Sequence, residues 1–239
     1  MKILTLRGII DRRILVNFTV DPDIARKIVP DPFRPKIYNN RAIAGICLIR
    51  LKNVRPKGFP ELVGISSENG AHRIAVEWTE NGELKEGVFI PRRDTSSVLN
   101  SIAGNRIFPG RHFLAKFDVK EEQGHYHIAF KSTDGTTVSL DTEQAETLSS
   151  DSVFKTLDEA SKFFKNGAVG YSPNGNKFDG LKLETFNWQV KPLKTTAVQS
   201  SFFDDESIFP KGSVLFDNAL LMTGIAHEWH SVGKKNHCI

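Results

Sequence analysis

The chain has 239 residues, with 32 basic and 28 acidic side chains and a formal net charge of +4. That excess is small and its Lys and Arg residues are scattered, which argues against a nucleic-acid-binding surface. Hydrophobic residues make up 39% of the chain and 17 residues are Phe, so a full core can form without disulfides and global disorder is excluded. We expect a single domain over residues 1–239, because all-β sandwiches and barrels reach this size as one unit.

Two cysteines, Cys47 and Cys238, have neither metal-binding nor redox spacing. Their usage favours a reducing, cytoplasmic compartment. The N-terminal segment is interrupted by Asp11-Arg12-Arg13 too early for a signal peptide, and no apolar run approaches the ~20 residues of a membrane helix. The sequence therefore predicts a cytoplasmic protein with no membrane partner and no nucleic-acid partner.

The first third alternates strand and helix signals. Residues 12–20 alternate apolar and polar side chains, which predicts a half-buried strand. Asp21-Pro22-Asp23 then supplies an N-cap, a first-turn proline and a first-turn acid for a short helix that Pro30 stops. Residues 42–51 are almost continuously apolar, which indicates a strand buried on both faces.

Hairpins follow in the middle of the chain. Asn81-Gly82 is a strong hairpin turn between strands at 74–80 and 83–92, since both turn positions favour positive φ. A second hairpin joins strands at 111–120 and 125–131 through Gln123-Gly124. Asp134-Gly135 is expected to turn a third strand back onto that hairpin.

Two helices interrupt the strands. Asp94 or Thr95 is expected to cap a helix over 96–103, and Thr156 with Glu159 forms a capping box for a helix over 157–165 that ends at Gly167. The polar segment between them, 133–151, is expected to form weak strands or a loop.

The last third returns to strands, predicted at 177–190, at 197–203 and at 213–228 with a break near Asp217. The apolar face of the first switches near Glu184-Thr185, which predicts a β-bulge there. About ten strands with few helices indicate a mostly β fold, an antiparallel sheet closed or strongly curled into a β-barrel.

Arginines at two predicted strand ends are candidate ligand-binding residues. Arg92 ends a strand and Arg111 opens the next, so we expect both to reach one barrel mouth, where they could clamp a carboxylate or phosphate. The alternative is that one arginine pairs with Asp94 as structural support and the other is solvated.

Motifs for metal, serine or dinucleotide chemistry do not occur. The histidines of His125-Tyr126-His127 and of the segment 227–230 do not have a zinc spacing with a third ligand, so we expect structural or surface roles, no metal and no cofactor. Lys116 is the one candidate Schiff-base lysine on a predicted core strand, although a solvent-facing lysine is the alternative.

Short motifs along nearly the whole chain resemble one family. They are Val20-Asp21-Pro22-Asp23 through Phe33, Gly87 through Asp94, Phe108-Pro109, Ser200-Ser201-Phe202-Phe203, Phe209-Pro210, Phe216-Asp217-Asn218-Ala219 and His227-Glu228-Trp229. The chain is thereby similar to the acetoacetate decarboxylase-like superfamily, within an uncharacterised branch. The resemblance implies a cone-like antiparallel β-barrel with an internal cavity.

The resemblance does not carry the decarboxylase activity with it. True decarboxylases have two adjacent lysines just after a Tyr-Pro or Phe-Pro step, one of which forms a Schiff base. Here that place is Pro109-Gly110-Arg111-His112. The family's strand arginine corresponds to Thr19, and its cavity glutamate falls near Arg73.

These observations predict a cavity that binds a small organic acid or another oxygen-rich metabolite. In the enzyme version Arg92, Arg111 and Arg73 bind the substrate, and His112 transfers a proton with Lys116 as a second catalytic candidate. The reaction would be lyase-like or hydrolase-like, without Schiff-base chemistry. Two alternatives remain open: a non-catalytic ligand carrier, and a structural or homo-oligomerising β domain whose interior is packed with Phe and Trp.

Overall fold

The computed structural model describes residues 5–103 and 109–236, with side chains described for 5–101 and 109–236. Phe108 of the Phe-Pro step and Cys238 lie outside these ranges. The strands are β1 Leu6–Val20, β2 Arg34–Pro35, β3 Ile37–Tyr38, β4 Arg41–Pro56, β5 Ile65–Glu80, β6 Glu83–Thr95, β7 His112–Glu122, β8 His125–Ser132, β9 Thr137–Gln144, β10 Val169–Asn174, β11 Lys177–Thr185, β12 Lys191–Ser200 and β13 Val214–Asn236. The α-helices are α1 Pro22–Ile28, α2 Val98–Ala103 and α3 Leu157–Asn166.

The predicted mostly β fold is confirmed, and the strands join into one sheet that closes on itself. Nine strands form a ring in the order β6, β7, β8, β9, β12, β13, β1, β4, β5 and back to β6. Neighbouring strands are antiparallel except for β6 with β7. The closed sheet agrees with the cone-like architecture that the sequence implies.

A second, smaller ring shares part of this sheet. Strands β10 and β11 pair with each other, β10 also pairs in parallel with β6, and β11 pairs with the C-terminal half of β13. The seven strands β6, β10, β11, β13, β1, β4 and β5 therefore also close a ring. Both faces of the five shared strands are consequently covered, which is why residues 42–51 are almost continuously apolar.

The two rings enclose different interiors. The nine-stranded ring is filled by the larger apolar cluster, whose aromatic members include Phe18, Trp78, Phe130 and Phe203. The seven-stranded ring holds a second apolar cluster and, beside it, an open cavity. The packed interior and the open interior that the sequence left as alternatives are thus both present, one in each ring.

Local signals explain the elements that the sequence predicted well. Asp21 caps α1 by accepting hydrogen bonds from the amides of Asp23 and Ile24, at 2.9 and 3.3 Å. Asn81 and Gly82 have φ values of 52° and 81°, so the turn between β5 and β6 has the two positive φ angles that the sequence required. Thr156 caps α3 through the amide of Glu159 at 3.1 Å.

Several boundaries differ from the sequence-based expectation. Strand β11 ends at Thr185, so 186–190 is not strand, and its register shift lies between Gly180 and Leu181 rather than near Glu184. The segment that contains Gly170 is strand β10, which the sequence did not predict. The expected break near Asp217 is a register shift within a continuous β13, because Asn17 pairs with Asn218 while Phe18 pairs with Phe216.

The three α-helices are seven, six and ten residues long. Within the described part of the chain, no helix has both the length and the apolar character that crossing a membrane requires.

Candidate functional site

The cavity of the seven-stranded ring is the candidate functional site. Its volume is about 320 Å³, which is in the range of small-ligand pockets. Each of the seven strands contributes at least one lining residue, and Phe164 of α3 and Trp188 cover it from outside. Leu181 and Trp229 add to the apolar part of the wall.

Three arginines from three strands line this cavity: Arg13 of β1, Arg73 of β5 and Arg93 of β6. Arg73 is only 4% exposed. Its Nη2 donates to the side-chain oxygen of Asn17, and its guanidinium lies 5.0 Å from the ring centre of Phe164. Arg93 donates from Nε to the hydroxyl of Ser172 at 3.1 Å.

Arg13 lies against the cavity thiol. Its Nε donates to Sγ of Cys47 at 3.1 Å, and its guanidinium lies 6.0 Å from the ring centre of Trp188. Cys47 is a buried free thiol on β4. The cavity therefore brings a thiol and three cations into one space.

No carboxylate of the described residues lies within 4.0 Å of these three guanidinium groups, whereas other buried arginines of this chain are paired. Arg12, which is 2% exposed, contacts both Glu68 and Glu121. Arginines without a carboxylate partner are therefore a feature of the cavity and not of every buried arginine in this chain.

Among the described residues two acids line the cavity, Asp94 and Glu184, and their carboxylates contact residues other than the three cavity arginines. Asp94 accepts two hydrogen bonds from Arg92, at 2.7 and 3.0 Å, and another from Ser132. Glu184 is exposed and lies 3.1 Å from Nε2 of His230. Neither carboxylate neutralises the cavity arginines.

Burial and mutual repulsion disfavour these charges. Burial, with a smaller contribution from the charge of Arg13, lowers the pKa of Arg73 to about 10. Burial likewise lowers the pKa of Arg93 to about 10. Both groups nevertheless remain protonated at neutral pH, so the cavity stays positively charged.

His112, at the start of β7, also lines the cavity. Its Nδ1 lies 3.1 Å from the carbonyl oxygen of Gly110. Burial and the charge of Arg93 lower the pKa of His112 to about 3. At neutral pH the imidazole is therefore uncharged, and with Nδ1–H donating to Gly110 its Nε2 is a hydrogen-bond acceptor.

The structure brings together two of the five residues that the sequence proposed. Arg73 and His112 line the cavity. Arg92 and Arg111 do not; their guanidinium groups lie 4.1 and 4.5 Å from the ring centre of Phe113. Their role in substrate binding stays a prediction.

Arg92 is part of an ion pair, in line with the structural alternative. It contacts Asp134 at 2.6 Å in addition to Asp94. Lys116 is exposed, and it borders a separate depression with Asp118 and Lys131 on the outside of the sheet. Its catalytic role also stays a prediction.

Sequence reasoning missed Arg13 and Arg93, and a bulge explains the second. Ile74 pairs with Phe89 but His72 pairs with Arg92, so β6 has one extra residue at Ile90-Pro91. The faces switch there, and Arg93 instead of Arg92 points to the side of Val88 and Ile90. Pro91, next to the arginine pair, was the available signal.

The histidines of the first pair, His125 and His127, make surface contacts, whereas His227 of the second pair is buried. His127 lies 2.7 Å from Asp141, and His125 lies 3.6 Å from Glu143. Within residues 5–103 and 109–236, no group of three or more His, Cys, Asp or Glu side chains has an arrangement suited to a metal ion.

Comparison with known proteins identifies both a family and a fold. The model of the DUF2071 family, described as an uncharacterized conserved protein, matches residues 10–218. Comparison with curated proteins finds no match.

Solved structures with the same fold include three enzymes. The acetoacetate decarboxylase of Legionella pneumophila superposes with a TM-score of 0.60 at 13% identity, covering 96% of this chain and 87% of that one. An acetoacetate decarboxylase-like enzyme of Sphingomonas wittichii RW1 gives 0.60 at 9%, covering 99% and 93%. The enduracididine biosynthesis enzyme MppR, complexed with pyruvate, gives 0.57 at 11%, covering 98% and 90%. The resemblance to the acetoacetate decarboxylase-like superfamily is confirmed at the level of the fold.

Proposed function

This protein belongs to the DUF2071 family, and we propose that it binds a small organic acid in the cavity lined by Arg13, Arg73 and Arg93. The observation that carries the proposal is the set of three guanidinium groups without a carboxylate partner among the described residues. Buried charges in proteins are normally paired or hydrogen-bonded, because an unpaired one is costly to desolvate. A bound carboxylate supplies the missing charge.

The rest of the wall suits the carbon skeleton of such a ligand. Apolar surfaces of Phe164, Leu181, Trp188 and Trp229 surround the cationic part. A guanidinium presents two parallel N–H groups to a carboxylate, which fixes its orientation as well as its charge. The family resemblance implies a cavity glutamate near Arg73, so this member is proposed to have a cation where the family pattern has an acid.

Relatives of the same fold support the ligand class. MppR has been crystallised with pyruvate and with a condensation product of pyruvate and an imidazole aldehyde. Pyruvate is a small carboxylate with an adjacent carbonyl. For the present chain we propose only the ligand class, a small carboxylate, and not pyruvate itself.

Turnover, if it occurs, does not use the decarboxylase lysine pair. Pro109-Gly110-Arg111-His112 stands in its place. The lysines that line the cavity, Lys165 and Lys182, are exposed at its rim, whereas a Schiff-base lysine lies in an apolar pocket or beside another cation. In the enzyme version His112 is the proton acceptor at Nε2 and the cavity arginines hold the developing oxyanion.

One observation favours the non-catalytic alternative. A histidine whose pKa is about 3 is a weak base at neutral pH, far from the optimum for general base catalysis. A bound anion beside His112 raises that pKa and would make the histidine a stronger base. Incubating the protein with a bound acid for hours and analysing the acid afterwards distinguishes a carrier from an enzyme. An unchanged ligand indicates a carrier, and a new product indicates an enzyme.

A thermal-shift titration with a panel of small carboxylates tests the binding itself. We expect at least one acid to raise the Tm of the parent protein in a concentration-dependent manner. Replacing Arg73→Gln should reduce that shift strongly, and Arg34→Gln, which removes an exposed arginine paired with Glu77, should leave it intact. The proposal is wrong if no acid stabilises the parent, or if the two variants respond alike.

A further inference from the structure

Resting on the proposed function, we infer that the acid held in this cavity is a dianion, bearing either two carboxylates or one phosphate group. Two buried donors in the site point to it. Nη1 of Arg13 and Nε of Arg73 are both buried and have no hydrogen-bond partner. The two arginines belong to different strands, β1 and β5, and both line the cavity.

The charges of the described lining residues favour a dianion over a monoanion. Three guanidinium groups line the cavity, His112 is neutral at pH 7, and the only described lining acids, Asp94 and Glu184, are paired with Arg92 and His230. A single carboxylate leaves two of the three positive charges without a counterion. Lys165 and Lys182 at the rim add positive charge instead of removing it.

The same chain shows how buried arginines are otherwise stabilised. Arg12 contacts two carboxylates, Glu68 and Glu121, and Arg92 contacts two more. Each of these two arginines therefore donates to two carboxylate groups. By that standard the cavity arginines require a ligand with more than one negative charge.

The floor of the cavity leaves room for such a ligand between the arginines. Ala71 pairs with Arg93 on the neighbouring strand, and it lies two residues from Arg73 along β5. Cys47 pairs with Ala71 on the other side. Small side chains thus separate Arg73 from Arg93, and the space above them is open.

The test compares matched dianions and monoanions on the parent protein by calorimetric titration. The probes are malonate, succinate and glutarate, the monomethyl ester of each, and methyl phosphate. We expect at least one diacid, or methyl phosphate, to bind about tenfold or more tighter than the best monoester, the factor that one charge-assisted hydrogen bond contributes. Tighter binding of a diacid indicates a natural ligand with two carboxylates, and tighter binding of methyl phosphate indicates a ligand with one phosphate group.

Replacing single cavity arginines shows which of them contacts the second anionic group of the ligand. In Arg13→Gln or Arg93→Gln, the ratio of dianion to monoanion affinity should fall towards one, while Arg34→Gln retains the parent ratio. If the parent binds a monoester as tightly as every dianion, the inference is wrong and the proposed function stands. If no probe of either charge binds, both are wrong. The comparison on the parent decides the matter even where a variant does not fold.

Discussion

At the scale of single residues, His112 reports on the charge of the cavity. Burial and the charge of Arg93 together lower the pKa of His112 to about 3, from the ordinary histidine value of about 6.5. We predict that Arg93→Gln raises the pKa of His112, because one of the two causes is removed, and that a bound anion raises it in the parent. NMR titration of the imidazole measures both changes. A value near 6.5 in the ligand-free parent would contradict the assignment.

The residues at 110–112 lead to a prediction about activity. Without adjacent lysines at Gly110-Arg111, we expect no acetoacetate decarboxylation, which a carbon dioxide release assay measures. Borohydride reduction with acetoacetate, followed by peptide mass spectrometry, should leave Lys116, Lys165 and Lys182 unmodified, since all three are exposed. A reduced adduct on any of them would sink this prediction.

At the scale of the elements, α3 is the cover of the cavity and depends on its N-cap. Thr156 satisfies the amide of Glu159, and the Glu159 carboxylate in turn accepts from the amide of Lys155 at 3.0 Å. We predict that Thr156→Ala lowers the free energy of unfolding by about 1 kcal/mol, the usual value of such a cap. Urea denaturation measures it, with Lys155→Ala as the neighbouring control. Equal stability of both variants would show that the cap does not contribute.

Elements with local signals could be predicted from the sequence, and elements defined by distant pairing could not. The α1 and α3 caps and the Asn81-Gly82 turn are encoded within a few residues, and all three are confirmed. Strand β10 was missed because it exists through pairing with β6 and β11, and its Gly170 looks like a loop residue. A side chain at Gly170 would meet Ile90 at 2.8 Å, which explains the glycine.

Only part of the candidate site could be predicted from the sequence, because some of its residues are positioned by strand pairing and not by local signals. Arg73 and His112 were identified, whereas Arg93 depends on a bulge that only the pairing of β5 with β6 reveals. Arg13 lies on β1 directly before residues 14–20, which are buried on both faces, so the sequence pattern did not single it out.

At the scale of the whole molecule, buried neutral histidines make stability depend on pH. The pKa values of His72 and His112 are lowered to about 3 and that of His227 to about 4, mainly by burial. The unfolded chain, with histidine pKa values near 6.5, binds these protons first as the pH falls. Stability contributed by the three groups is therefore complete above about pH 6.5, and it declines as the pH falls towards 4.

Thermal melts between pH 7 and pH 4 measure this dependence. His72→Gln should flatten the fall in Tm, because His72 is fully buried and has the 3.1 Å contact with Ser200 that a glutamine amide can replace. His125→Gln removes an exposed histidine and should keep the parent profile. Identical profiles for all three proteins would exclude the buried histidines as the cause.

The two-ring architecture places the packed core and the ligand space in separate compartments of one sheet. The central claim is that the smaller compartment is an anion site, formed by Arg13, Arg73 and Arg93. The most direct test is anomalous diffraction from crystals soaked in iodide, which needs no knowledge of the natural ligand. We predict an iodide peak inside the cavity, beside the guanidinium groups of Arg13, Arg73 and Arg93. Crystals that bind iodide at other sites while this cavity stays without a peak would contradict the account.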